Sequence, residues 1–92
     1  MYCWIEHKIT DTDKFWGEAG KMMDQIPDGL KLISALPSSD GKNAVCLWET
    51  KTTDGLKDYM EGHVGNFANN HYFEVNQEKA MGLPTALAAT GT

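Results

Sequence analysis

The sequence contains no arginine, and this absence excludes several classes of partner. Its 92 residues carry eight lysines against thirteen acidic residues, which gives a net charge of −5. Nucleic acids and anionic membranes are bound by clustered positive charge, and arginine provides the bidentate ligands that phosphate groups favour. We therefore expect neither a nucleic acid nor a membrane surface as a partner.

Cysteine and long apolar runs are also scarce. Only Cys3 and Cys46 are present, too few for a disulfide framework, and both lie in apolar segments, which predicts reduced, buried thiols. No apolar run approaches the roughly 20 residues that a membrane span needs, and no secretory signal pattern precedes the first strand. These features predict a soluble, cytoplasmic protein. A chain of this length has room for only one core.

Strand-like and helix-like segments alternate along the chain. Aromatic and β-branched residues predict four strands, at residues 2–9, 30–36, 43–50 and 72–75. Apolar residues at helical spacing predict helices around Phe15–Ile26 and Leu56–Phe67, the second broken near Gly62 and Gly65. The order β-α-β-β-α-β predicts an α+β, ferredoxin-like fold: a four-stranded antiparallel sheet, order 4-1-3-2, with two helices on one face. We expect one domain over 1–84 and a flexible tail over 85–92.

One face of this predicted sheet has no helix to cover it. Alternation assigns to the helix side Cys3, Ile5, Ile9, Leu30, Leu32, Val45 and Leu47. It leaves on the open face Tyr2, Trp4, Glu6, Ile33, Ala35, Ala44, Cys46 and Trp48. Monomers rarely keep such an apolar patch exposed, so we expect a homodimer with Trp4, Trp48 and Ile33 in its interface. The alternative is that one strand has the opposite parity, which would move half of these residues into the core.

The element order and sheet-face pattern over residues 2–83 resemble the dimeric α/β-barrel superfamily, which includes antibiotic-biosynthesis-monooxygenase-like and muconolactone-isomerase-like proteins. The resemblance implies two sheets packed face to face, with a cleft between sheet and helices in each protomer that holds a small, often aromatic or apolar, ligand. No catalytic motif of the superfamily is matched. The segments AVCLWE (44–49), YFEVN (72–76) and AMGLP (80–84) also look like those of short uncharacterised bacterial proteins, a similarity that implies no function.

His7 is the strongest candidate for a functional residue. It is the one polar side chain in the helix-facing series of the first strand, where a neutral imidazole can act as a general base or orient a carbonyl. The alternative is a buried histidine that hydrogen-bonds to a backbone carbonyl. We expect Trp16, Ile5 and Leu47 to line a ligand pocket beside it. Tyr59 and His63 are the other candidate catalytic residues, helping to place a substrate.

Three functional hypotheses follow. The first is a homodimer that binds a small apolar or aromatic molecule and, as an enzyme, acts as a cofactor-independent oxygenase or isomerase. The second is a non-catalytic interaction module whose sheet face serves only to dimerise. The third is a metal-binding protein using His7, His63 and His71. No two histidines are three or four residues apart and no Cys-x-x-Cys occurs, so we expect neither a metal nor another cofactor.

Overall fold

Six elements form in the predicted order in the computed structural model, which describes residues 1–83. They are β1 (Tyr2–Ile9), α1 (Thr12–Met23), β2 (Lys31–Pro37), β3 (Asn43–Glu49), α2 (Thr53–Val64) and β4 (Ala68–Glu74). The four strands form one antiparallel sheet in the order β2-β3-β1-β4, which is 4-1-3-2 counted from the other edge. This arrangement confirms the ferredoxin-like fold. The tail predicted over 85–92 lies outside the described residues.

Each helix begins at a side-chain cap. The Asp11 carboxylate accepts a hydrogen bond from the Lys14 amide, and the Thr52 hydroxyl accepts one from the Gly55 amide. Both caps satisfy an amide that has no partner within its helix. Of the two glycines at which a break is expected, Gly65 ends α2 as its C-cap, whereas Gly62 lies inside the helix, which continues to Val64. Burial of Val64 offsets the cost of about 1 kcal/mol that a glycine adds inside a helix.

Gly17 is an exposed glycine in α1 that alanine can replace at no steric cost. A Cβ atom added there meets no atom within 4 Å. We expect Gly17→Ala to raise the free energy of unfolding by about 0.5–1 kcal/mol, because alanine loses less backbone entropy on folding. Urea denaturation measures this change. The contrasting control is Gly29→Ala, which places a side chain at φ +91° and should lower stability; a destabilising Gly17→Ala would contradict the open surroundings of this position.

The register of β3 corrects one predicted face. Trp4 lies opposite Leu47 and Ile5 lies opposite Cys46, and residues directly opposite each other share a face of the sheet. Trp48 is therefore buried beneath the helices with Ile5, while Leu47 lies on the open side. The alternation prediction therefore assigns the wrong face to all five residues of β3 from Ala44 to Trp48. The error arises because the odd-numbered and the even-numbered residues of β3 are both apolar. Alternation alone therefore cannot show which of the two sets faces the helices.

A β-bulge in β2 makes a second correction. The pairing with β3 shifts between Leu32 and Ser34, so that Ala35 lies opposite Cys46 on the helix side. Ile33 stays with the apolar residues of the open side, as predicted. An extra residue in one strand resets the alternation after it. Simple alternation therefore predicts the wrong face for Ala35.

The open face is partly covered by the chain that follows β4. Leu83 packs in a buried cluster with Tyr2 and Leu47. Among the described residues, two large apolar side chains remain exposed on this face: Leu36 keeps 58% of its accessible surface and Phe73 keeps 49%. Neither described helix combines the length and the apolar character required to cross a bilayer.

Candidate functional site

An apolar cavity of about 220 Å³ lies between α1 and the helix-facing side of the sheet. From α1 it is lined by Phe15, Trp16 and Ala19, and from the sheet by His7 and Trp48. Alternation along β1 brings the imidazole of His7 to this side, in series with buried Cys3 and Ile5. Among the described residues of this wall, His7 carries the only titratable nitrogen, and the other side chains are aromatic, aliphatic or sulfur-containing.

Hydrogen bonds fix the tautomer of His7. Its Nδ1 atom lies 2.6 Å from Oδ1 of Asn70, which lies directly opposite on β4. The Asn70 amide nitrogen donates to Oε2 of Glu61 at 2.7 Å. A carboxylate only accepts hydrogen bonds, so the amide nitrogen must face Glu61 and the amide oxygen must face His7. Nδ1 therefore carries the proton, and Nε2 carries the lone pair.

The surroundings hold this imidazole in place. His7 is 3% exposed, and its ring packs edge-on against Phe15, with the ring centroids 5.3 Å apart. The Tyr72 hydroxyl donates to the same Glu61 oxygen at 2.5 Å, so two residues of β4 anchor the carboxylate. Within residues 1–83, Nε2 has no hydrogen-bond partner. The site thus presents one oriented acceptor.

Burial makes His7 a source of acid sensitivity. Desolvation lowers the pKa of His7 below 6.5, outweighing the Asn70 hydrogen bond and the charge of Glu61, which raise it. The unfolded chain therefore binds a proton at a higher pH than the folded one. We expect stability to decrease as the pH falls below 6.5, by at most about 1.4 kcal/mol per pH unit from this group.

The measurement is the free energy of unfolding in urea at a series of pH values between 5 and 8. His7→Gln should remove this component, because glutamine is uncharged and its amide can still donate to Asn70. His71→Gln, at an exposed position on the other face, is the matched control and should preserve the pH dependence. Equal pH profiles for His7→Gln and the unmodified protein would contradict the assignment.

Tyr59 and His63 do not join His7. They line a different depression at the junction of the two helices, where His63 Nδ1 lies 2.8 Å from the Glu18 carboxylate. The rings of Tyr59 and His63 pack with centroids 4.9 Å apart. The structure therefore does not assemble the predicted catalytic group, and the residues that contact His7 are Asn70 and Phe15 instead.

The predicted pocket residues have separate locations. Trp16 lines the cavity and its indole nitrogen donates to the Gly41 carbonyl at 2.9 Å. Ile5 is fully buried in the core without lining the cavity, and Leu47 lies on the opposite side of the sheet. Trp48, predicted for a dimer interface, lines the cavity instead. Its buried Nε1 has no acceptor among the described residues.

The three histidines lie apart. His7 faces the helices from β1, His71 lies opposite Glu6 on the other face, and His63 is on α2. Across residues 1–83, no three histidine, cysteine or acidic side chains form a group that can hold a metal ion. Metal binding by His7, His63 and His71 together has no geometric basis in this part of the chain.

Comparisons with protein-family models, curated proteins and solved structures found no significant match. The function must therefore be argued from the chemistry of the cavity.

Proposed function

We propose that this protein binds a small, neutral, apolar or aromatic molecule in the cavity beside His7. The observation that carries the proposal is the composition of the cavity wall, in which Phe15, Trp16 and Trp48 supply aromatic surface. Ligand sites are typically concave and apolar with a few placed polar groups, and an apolar cavity of about 150 Å³ is large enough to bind benzene. The cavity here has that character.

The charge of the wall supports a neutral ligand. No lysine or acidic side chain lines the cavity in the part of the chain that the structure describes. An anion or cation would therefore lose its hydration without gaining an opposite charge, which is costly. Cys46 does not supply a charge, since burial raises the pKa of its thiol to about 11 and leaves it protonated at neutral pH.

In the catalytic form of this proposal, the protein is an isomerase or a cofactor-independent oxygenase that acts on the bound molecule. This form is supported by His7, which carries the one basic side chain among the described residues of the cavity wall and whose Nε2 can accept a proton from a bound substrate. The non-catalytic alternative uses the same cavity for binding alone. If the protein converts a bound molecule, and His7→Gln abolishes this turnover while binding is retained, the catalytic form is supported over binding alone.

Binding can be tested with toluene and indole as probes. Two-dimensional NMR resolves the indole N–H signals of the three tryptophans. Those of Trp16 and Trp48, which line the cavity, should shift on titration, and that of Trp4, on the other face, should not. Saturating probe should also raise the melting temperature, because it binds only the folded state. No shift at either cavity tryptophan, or a shift confined to Trp4, would overturn the proposal.

We also propose that a second copy of the chain covers the open face. We propose a cytoplasmic location, where Cys3 and Cys46 would remain free thiols as they are here. Leu36 and Phe73 are the exposed apolar residues that support the second copy, together with partly buried Trp4, whose ring lies 6.3 Å from that of Phe73. Two sheets packed in this way would give the dimeric α/β-barrel arrangement that the element order resembles.

Analytical ultracentrifugation tests the second copy. We expect a dimer mass for the unmodified protein and a monomer mass for Phe73→Lys, which places a charge in the apolar patch. Met81→Lys is the control, because Met81 is 95% exposed outside the sheet, and it should remain a dimer. A monomer mass for the unmodified protein at all concentrations would overturn this part of the proposal.

A further inference from the structure

We propose that the ligand of this cavity is a neutral aromatic hydroxyl compound, and that Asn70 and Glu61 set this specificity by holding Nε2 of His7 as a hydrogen-bond acceptor. The inference rests on the proposed binding function and specifies its ligand class. Asn70 and Glu61 are positioning residues, because they act through His7.

Three side chains form a hydrogen-bonded chain in which the donors and acceptors can be arranged in only one direction. Glu61 on α2 accepts from the Asn70 amide nitrogen, and the Asn70 oxygen accepts from Nδ1 of His7. Reversing the amide would place its oxygen against the Glu61 carboxylate, so that two acceptors would face each other and the Asn70–Glu61 hydrogen bond would be lost. A proton on Nδ1 is thereby favoured, and the cavity is presented with a lone pair instead of an N–H group.

A lone pair in an apolar cavity selects its partner. A bound hydrocarbon covers Nε2 without pairing it, so the acceptor loses water and gains nothing. A phenolic O–H donates to Nε2 while its ring packs against Phe15 and Trp48.

Ionised ligands are disfavoured by the same geometry. A carboxylate offers no proton and would place negative charge near the Nε2 lone pair. Burial, which lowers the pKa of His7, keeps the imidazole neutral at neutral pH. A phenol, with a pKa near 10, also keeps its proton in this contact, so the interaction is a hydrogen bond and no proton is transferred.

The experiment compares phenol, toluene and benzoate by NMR titration. For the unmodified protein we expect phenol to bind about tenfold more tightly than toluene, the gain from one well-placed hydrogen bond, and benzoate not to bind at saturable concentration. In Asn70→Leu the preference for phenol should fall to about twofold or less, with toluene affinity retained. Asn69→Leu is the matched control, because Asn69 is exposed on the other face, and it should keep the tenfold preference.

A structural readout accompanies the affinities. The ¹⁵N spectrum of the His7 ring should show the Nδ1–H tautomer in the unmodified protein and in Asn69→Leu, and a larger share of the Nε2–H tautomer in Asn70→Leu. Glu61→Ala, at an exposed position, is the second variant and should shift the tautomer in the same direction if Asn70→Leu fails to fold.

The outcomes separate the two levels of the proposal. Equal affinity for phenol and toluene in the unmodified protein, or preferential binding of benzoate, would overturn the ligand class and leave the binding function in place. An Nε2–H tautomer in the unmodified protein would overturn the role of Asn70. No binding of either phenol or toluene would overturn the proposed binding function itself.

Discussion

Replacing Leu56 with alanine is expected to lower the free energy of unfolding by about 3–5 kcal/mol. Leu56 lies in the first turns of α2, is fully buried, and belongs to the core cluster that also contains Ile5 and Trp48. Truncation removes apolar contacts and leaves a cavity that a sheet-backed core cannot collapse around completely. Domains of this size have only about 5–10 kcal/mol of stability, so the variant should be largely unfolded in mild denaturant.

Equilibrium urea denaturation followed by tryptophan fluorescence measures the loss. The midpoint should fall while the slope stays constant, because the surface exposed on unfolding changes little. Met81→Ala provides the control for removal of an apolar side chain of similar size, and should change stability by less than about 0.5 kcal/mol because Met81 is exposed. A Leu56→Ala variant as stable as this control would contradict the core packing.

The sequence predicts element order better than it predicts sheet faces. Helical spacing and strand composition are local signals, so the six elements and their ferredoxin-like order could be predicted. The face assignment of Trp48 depends on a partner strand: its register opposite Cys3 places it beneath the helices. No local signal carries that register. The bulge next to Ile33 could not be predicted for the same reason, because an extra residue in one strand is recognised only from its pairing with the neighbouring strand.

The candidate site could be predicted only in part. His7 stands out in the sequence as a polar residue in an apolar series, and it does lie in a cavity wall. Asn70 was missed because β4 was predicted to start at Tyr72, whereas the strand begins at Ala68 and brings Asn70 opposite His7. Glu61 was missed because it reads as an ordinary exposed residue of α2. Its role follows from a contact across elements, which spacing does not encode.

Filling the cavity should abolish ligand binding without unfolding the protein. Ala19 lies on the cavity side of α1, where it contributes only a methyl group to the wall. We expect Ala19→Phe to weaken toluene binding by at least about a hundredfold, or about 2.7 kcal/mol, because the new ring occupies the space that the ligand needs. NMR titration of the Trp16 and Trp48 indole signals measures the loss.

A matched control separates occupancy of the cavity from the introduction of an aromatic residue into α1. Gly17→Phe adds the same side chain two residues away, where a Cβ atom meets nothing within 4 Å, so it should bind toluene like the unmodified protein. Melting temperature provides an independent check. Toluene should stabilise the unmodified protein and Gly17→Phe in proportion to occupancy, and leave the melting temperature of Ala19→Phe unchanged.

Toluene binding by Ala19→Phe at undiminished affinity would show that the ligand occupies a site other than the cavity between α1 and the sheet. That result would remove the basis for assigning His7 a role in recognition, because His7 is buried and the proposed contact with a ligand is made in this cavity.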